Sequence, residues 1–238
     1  MLPDLISFIN SYTKAHLSFK NDKLLNEYQK QWISLFSKII LKSLSEKPIM
    51  RYNESFAIPI NISKNITINI HFDIDILLEE VDKVNPPVVQ IDIQQFIENN
   101  FQNQLMLLNN PQLIGYAIDK SLKNVSSNPV VICNSDFFFN FVLDGNHRVD
   151  YAKRNKYNVV NCLIVSSKFL ATTPHLFEDK LSYLLFCFLE DVALLEFALH
   201  EKRQKGIFGI LRTESSLLKK QSILPTVQKY IGNTYHQN

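Results

Sequence analysis

Glycine is scarce, five in 238 residues. No internal repeat or low-complexity segment is evident, so a glycine standing between two regular elements marks a backbone requirement. Cysteine is rarer still, and Cys133, Cys162 and Cys187 are odd in number, far apart and set in apolar runs. That spacing argues against disulfides or a zinc site and predicts reduced core thiols. An excess of one charge is missing too: 25 Lys and Arg against 23 Asp and Glu leave a formal net charge of +2. Without a dense basic field, any affinity for nucleic acid has to come from a local patch. No apolar run reaches the roughly 18 residues of a membrane span, and no basic-then-apolar leader opens the chain. A soluble, cytoplasmic protein with no membrane attachment is the expectation. What the chain does have is 46% hydrophobic residues, enough for a sizeable core in one large or two small domains.

The apolar period divides the chain. Over residues 23 to 44, Leu24, Leu25, Tyr28, Trp32, Leu35, Phe36, Ile39 and Ile40 recur at helical spacing, and Pro48 follows; this predicts an amphipathic helix. Phe56, Ile58, Ile60 and Ile62, then Ile66, Ile68, Ile70, Phe72, Ile74 and Ile76, alternate with other residues around the turn at Ser63, Lys64 and Asn65. Period two predicts a β-hairpin with one buried face, its end from Asp75 to Lys83 open to a helical reading. Pro86 and Pro87 break the chain, and a strand begins at Val88. Next come a helical stretch at 105–123, strands at 129–133 and 137–143, a turn and helix, and a strand at 159–165. The order strand, helix, strand, strand, helix, strand predicts a compact unit with a mixed sheet. From Phe177 to Leu199 one long apolar stripe runs at helical spacing, with Thr173 and Pro174 as its expected cap and first position. The reading is α+β in three segments: 1–85 a helix and hairpin layer, 86–167 a central core, and 168–238 a helical extension.

The central core contains "FVLDGNHRVDYAKR", residues 141 to 154. Gly145 falls between a strand end and a helix start, where the missing side chain permits positive φ and close approach of a ligand. The amides of Asn146, His147 and Arg148 would open a helix, and unpaired N–H groups at a helix start favour an anion, phosphate above all. Arg148 adds a planar fork of donors, and His147 can donate a hydrogen bond or take a proton near neutral pH. Asp144 would repel phosphate unless it binds a metal, caps the helix or takes a proton from a hydroxyl. The plainer alternative stays open: Asp-Gly is an ordinary turn, Asp144 a capping acceptor, and Arg148 a partner for Asp150 or another surface acid.

The stretch "NPVVICNSDFFFNFVLDGNHRVDYAKRNKYNVVNCLIV", residues 128 to 165, resembles the core of the ParB and sulfiredoxin superfamily. Its pattern is two apolar strands, an Asp-Gly-His-His-Arg-like turn, an Ala-rich helix and a closing strand. Upstream, "VVQIDI" and "IGYAIDKSLKN" extend the resemblance more weakly to Val88; residues 1–85 and 168–238 lie outside it. The resemblance implies a turn that holds nucleotide phosphates. ParB-like segregation proteins carry a Gly-Glu-Arg-Arg-like turn and a helix-turn-helix reader, neither apparent here. Sulfiredoxin needs a thiol in the turn, where this chain has Asn146 and His147. The free serine kinase branch is the most similar, with Asn146 in place of its first histidine. By that resemblance, Gly145, Asn146, His147 and Arg148 hold the phosphates of ATP or ADP, and Asp144 orients the acceptor or Mg2+. Asp144, His147 and a separate glutamate, for which Glu98 in "QQFIENN" is the candidate beside Asp92, would then act on a small hydroxylated substrate.

Other features permit other readings. Glu196 and His200, near Glu190, Asp191 and Glu201, have i, i+4 spacing without the second histidine of a zinc-protease helix, so a solvated face is expected. His71, Asp73 and Asp75 fall on the polar side of a strand and are expected at solvent or a domain interface. Phe137 to Phe139 could stack a base but read as core. Lys153, Arg154 and Lys156 could extend the phosphate site toward a polynucleotide. A non-enzymatic module that responds to a nucleotide or contacts DNA, with the helical flanks forming a homodimer or partner surface, is the competing reading; a nuclease ranks below it, since no second acid cluster is visible.

Overall fold

A computed structural model of the chain describes residues 1–43, 55–94, 127–204 and 213–233. In chain order the elements are α1 (Leu2–His16), α2 (Asp22–Ser43), β1 (Ser55–Ser63), β2 (Ile66–Asp73), α3 (Ile74–Val84), β3 (Val88–Asp92), β4 (Val130–Ser135) and β5 (Phe139–Asp144). They continue with α4 (Asn146–Arg154), β6 (Val159–Ser166), α5 (Ser167–Thr172), a 3-10 turn (Pro174–Leu176), α6 (Lys180–Gln204), α7 (Glu214–Gln221) and α8 (Leu224–Asn233). The class is α+β, as the sequence implies. The helix expected at 105–123 lies outside the described residues. Two units divide what is described: residues 1–43, 57–71, 171–204 and 213–233 form one, and residues 55–56, 72–94 and 127–170 the other.

In the first unit α2 forms where the sequence places it. Asn21 caps it by accepting from the amides of Lys23 at 3.1 Å and Leu24 at 3.3 Å, and its stripe of Leu25, Tyr28, Trp32, Leu35, Phe36, Ile39 and Ile40 is buried. The preceding helix α1 has a thinner stripe, Leu5, Ile9 and Thr13, and the sequence reading does not anticipate it. Gln29 ties the two together by donating to Thr13 Oγ1 at 2.7 Å and to the Asn10 carbonyl at 3.3 Å.

Helix α6 is the centre of this unit. Instead of one stripe, every residue from Ser182 to Val192 is buried, Glu190 and Asp191 included, the pattern of a helix surrounded on all sides. Phe188 receives Phe8 and Tyr12 of α1 and Trp32 and Phe36 of α2 with ring centroids 5.5 to 6.2 Å away. The helix starts later than the apolar stripe suggests. Pro174 opens the 3-10 turn, and α6 is capped by Asp179, which accepts from the Ser182 amide at 2.7 Å.

The hairpin forms around Lys64 and Asn65, with Ile62, Ile68, Ile70 and Phe72 buried. Its alternation ends at Asp73, however, and Ile74 and Ile76 belong to α3. Asp73 is itself the reason: buried, it accepts from the Ile76 amide at 3.1 Å and starts a helix. His71 also departs from a solvated position, since its amide donates to Ser182 Oγ at 3.1 Å and its carbonyl accepts from the Glu178 amide at 3.2 Å. Only Asp75 of the three is exposed.

The second unit is built on a mixed sheet of order β3-β6-β4-β5. β3 runs antiparallel to β6, β6 parallel to β4, and β4 antiparallel to β5. One face buries Val130, Ile132, Val142 and Cys162, with Val149 of α4 packed on them. β5 begins at Phe139; Asp136, Phe137 and Phe138 are the turn before it, held by Ser135 Oγ, which accepts from the Phe138 amide at 2.7 Å. All three cysteines are buried with free thiols. Burial pushes the Cys162 thiol up to about 11, and burial followed by the nearby Asp191 and Glu190 raises that of Cys187 well above its ordinary value.

Candidate functional site

The register of β4 and β5 slips just before the Asp-Gly turn. Ile132 faces Val142 while Val131 faces Asp144, so β5 carries one extra residue, Leu143. Such a bulge bends a strand and re-aims the residues that follow it. The chain leaves β5 at Asp144, passes through Gly145 at φ 99° and ψ 20°, and enters α4 at Asn146. Gly145 is the N-cap of α4; its carbonyl accepts from the amides of Arg148 at 2.9 Å and Val149 at 3.1 Å. Asn146 and His147 precede these in the helix, and the carbonyls four residues back of them belong to β5 and not to the helix, so their amides have no intrahelical partner.

Arg148 turns back over the glycine. A Cβ placed on Gly145 would meet Arg148 Nε and Nη2 at 2.8 Å and Cζ at 3.1 Å. Glycine is thus required for its positive φ, and its missing Cβ lets the guanidinium, the far end of a flexible side chain, lie this close. Arg148 Nη2 donates to Asp144 Oδ2, and the two side chains are only 14% and 17% exposed. Its buried Nε has no hydrogen-bond partner among the described residues. The arginine therefore has a fork with one prong engaged and one buried donor open. Asp144 does not cap the helix, and its partner is Arg148; Asp150 is paired instead with Arg154, whose Nε lies 2.6 Å from Asp150 Oδ2, close enough for an ion pair though not aligned as a hydrogen bond.

The turn thus brings together Asp144, Gly145, Asn146, His147 and Arg148, with His147 exposed and the others partly buried. Glu98 lies outside the described residues. Asp92 ends β3 at the same end of the sheet as Asp144, but two strands intervene, about 14 Å at the usual strand spacing. Asp92 aligns with Val159 and Asp144 with the Val131 and Leu163 level, four residues further along β6, adding about 13 Å. Asp92 therefore stands roughly 20 Å from the turn.

The backbone of Lys153 and Lys156 closes the end of α4. Lys156 adopts φ 57° just after the helix, with its amide bonded to the Lys153 carbonyl at 3.2 Å and the Tyr157 amide to the Ala152 carbonyl at 3.0 Å. That is the left-handed helix stop usually given to glycine. On α6, Glu196 is exposed and lies 2.9 Å from His16 Nδ1, while no cluster of three metal-ligating side chains occurs among the described residues.

The sequence reading missed a second polar centre. Asp191 is fully buried and accepts four hydrogen bonds: from Tyr28 at 2.7 Å, Trp32 at 3.3 Å, Ser222 at 2.9 Å and the Ile223 amide at 2.7 Å. Burial raises its carboxyl to about 6, against the opposing pull of those donors. Two acids inside an otherwise apolar helical run, "FCFLEDVALL", were the signal. No helix among the described residues is long and apolar enough to cross a membrane. No protein family, curated protein or solved structure matches the chain.

Proposed function

We propose that the protein binds a nucleotide through the turn Asp144 to Arg148 and transfers a phosphoryl group to a small hydroxylated molecule, in a unit of ParB and sulfiredoxin type. The observation that carries this reading is the guanidinium of Arg148 lying against a positive-φ glycine at the start of α4 with its buried Nε unsatisfied. A phosphate oxygen would satisfy Nε once the guanidinium swings away from the glycine, and would then lie near the first amides of the helix, the arrangement that favours an anion.

The pairing of Asp144 with Arg148 sets a condition. As it stands the turn is self-neutralised, so a phosphate must compete with Asp144 for the arginine. Mg2+ fits only as a companion of the nucleotide, because Asp144 is the single carboxylate of the turn and such ions are held by one or two carboxylates plus phosphate oxygens. When bound, the ion would neutralise phosphate charge. Asp144, drawn to it, would release the arginine fork to the phosphates. The acceptor hydroxyl oxygen forms a bond to the terminal phosphorus as that phosphorus's bond to the leaving nucleotide, ADP from ATP or AMP from ADP, breaks. Arg148 and His147 stabilise the charge that spreads over the transferring group. Asp144 orients the hydroxyl, and its proton goes to a carboxylate for which Glu98 is the candidate.

DNA binding finds less support. Two arginines of the turn and helix already face acids, Arg148 with Asp144 and Arg154 with Asp150, which cancels the local positive field a polynucleotide needs.

The test is calorimetric titration of ATP, ADP and CTP with Mg2+ on the wild type and on Arg148→Ala, followed by a phosphorylation screen of hydroxylated acceptors. Binding to the wild type that disappears in the variant supports the reading. Absence of binding by the wild type, with salt-dependent shifts of duplex DNA, overturns it in favour of the DNA-contacting module.

A further inference from the structure

Helices α2 and α8 leave a groove between them with a cavity of about 410 Å³, within the range of small-molecule sites. Its floor is Leu35 and Ile231, both buried. Along one wall Lys30, Ser34 and Lys38 follow each other at steps of four on α2, so they stand on one face. Gln228 Nε2 donates to Gln31 Oε1 at 2.9 Å and fastens the two helices at the edge of the groove. Gly232 stands at the rim, and a Cβ added there would meet nothing within 4 Å.

The charge is one-sided. Among the described residues neither Lys30 nor Lys38 has an ion-pair partner, and no acid lines the groove. Eight residues of helix separate the lysine Cα atoms by about 12 Å, and each flexible stem spans about 6 Å, so both ammonium groups can converge over Ser34. Below them lies apolar surface.

We propose that this groove binds a small amphipathic organic anion. Its acidic group sits between Lys30 and Lys38 with the Ser34 hydroxyl donating to it, and its apolar body covers Leu35 and Ile231. The glycine at position 232 keeps the mouth open. The site is separate from the Asp-Gly turn and does not depend on the reading given to it.

Three probes separate the contributions: hexyl phosphate, inorganic phosphate and hexanol, each titrated into the full chain while amide NMR shifts are followed. Hexyl phosphate should move the amides of Ser34, Leu35, Ile231 and Gly232, and bind at least about tenfold more tightly than either fragment, since each fragment lacks one of the two contacts. The double variant Lys30→Gln, Lys38→Gln should weaken hexyl phosphate by about tenfold or more. Gly232→Leu should abolish binding by filling the mouth while thermal stability is kept, since the position is next to the end of α8 and a side chain there meets no clash. The proposal is overturned if hexyl phosphate moves none of these amides, if either fragment matches it, or if the lysine variant binds it as the wild type does.

Discussion

Asp191 and Asp144 are both carboxylates withdrawn from water, yet the protein treats them in opposite ways. Asp191 sits in the helical unit among four uncharged donors, two from α2 and two from Ser222 and Ile223 between α7 and α8. Asp144 sits at a strand end against a single arginine, and both remain partly exposed. Four neutral donors fix a charge in place without offering it to anything else. One cationic partner holds it by an attraction that another ion can replace. The first arrangement organises a core; the second leaves a site that can exchange partners.

Removing the first carboxylate should produce the largest effect. Asp191→Ala strands the Tyr28 hydroxyl, the Trp32 indole and the Ile223 amide in the core, and a loss of about 3–5 kcal/mol is expected in urea unfolding. A loss under about 1 kcal/mol would mean that the network is no more than decoration. Next in size is its pH dependence. The folded-state value, about 6, is raised above the ordinary 3.8, so the unfolded chain releases this proton first as pH rises. Its contribution to stability is present in full below about pH 4 and is lost as pH rises through 6, by about 3 kcal/mol. Denaturant midpoints of the wild type between pH 4 and 7.5 should show this fall, and Asp191→Asn, which cannot ionise, should not.

At the turn the effects on stability shrink and those on binding grow. Gly145→Ala forces an L-residue into left-handed backbone at about 1–2 kcal/mol and drives the guanidinium off its seat, so nucleotide binding should go with it. Arg148→Ala leaves the mostly buried Asp144 carboxylate without its partner and should cost about 1–3 kcal/mol, less than Asp191→Ala, while abolishing the nucleotide heat. If Arg148→Ala proved as destabilising as Asp191→Ala, the two carboxylates would belong to the same class and the contrast would fall.

The sequence displayed its regular elements wherever the period was strong. The α2 stripe, the hairpin alternation and the strands around Cys133 and Cys162 each rest on several apolar residues in phase. Helix α1 escaped because its buried face is two aliphatic residues and a threonine, too little to stand out. The Asp-Gly turn was legible because Gly145 is conspicuous in a chain with so few glycines. The bulge at Leu143 was not, since a slip of register depends on the partner strand. Nor was the pairing of Arg148 with Asp144 rather than Asp150, which follows from where positive φ sends the helix. Asp191 was misread as solvated because spacing shows that a residue lies on a helix, while its burial is decided by Tyr28 and Trp32, more than 150 positions away.

The carboxylate of Glu214 accepts from the amides of Lys20 at 2.8 Å and Asn21 at 3.2 Å, which lie 194 and 193 residues earlier at the head of α2. A ribosome adds about 5–20 residues per second. The head of α2 therefore emerges roughly 10 to 40 s before the group that finishes it exists. Within that interval the whole sheet unit is made and can close before α6 is there to cover the Trp32 and Phe36 face. The length of the insertion sets how long a nascent chain must carry an uncovered apolar helix, and a segment made well before Glu214 is among the last to be secured.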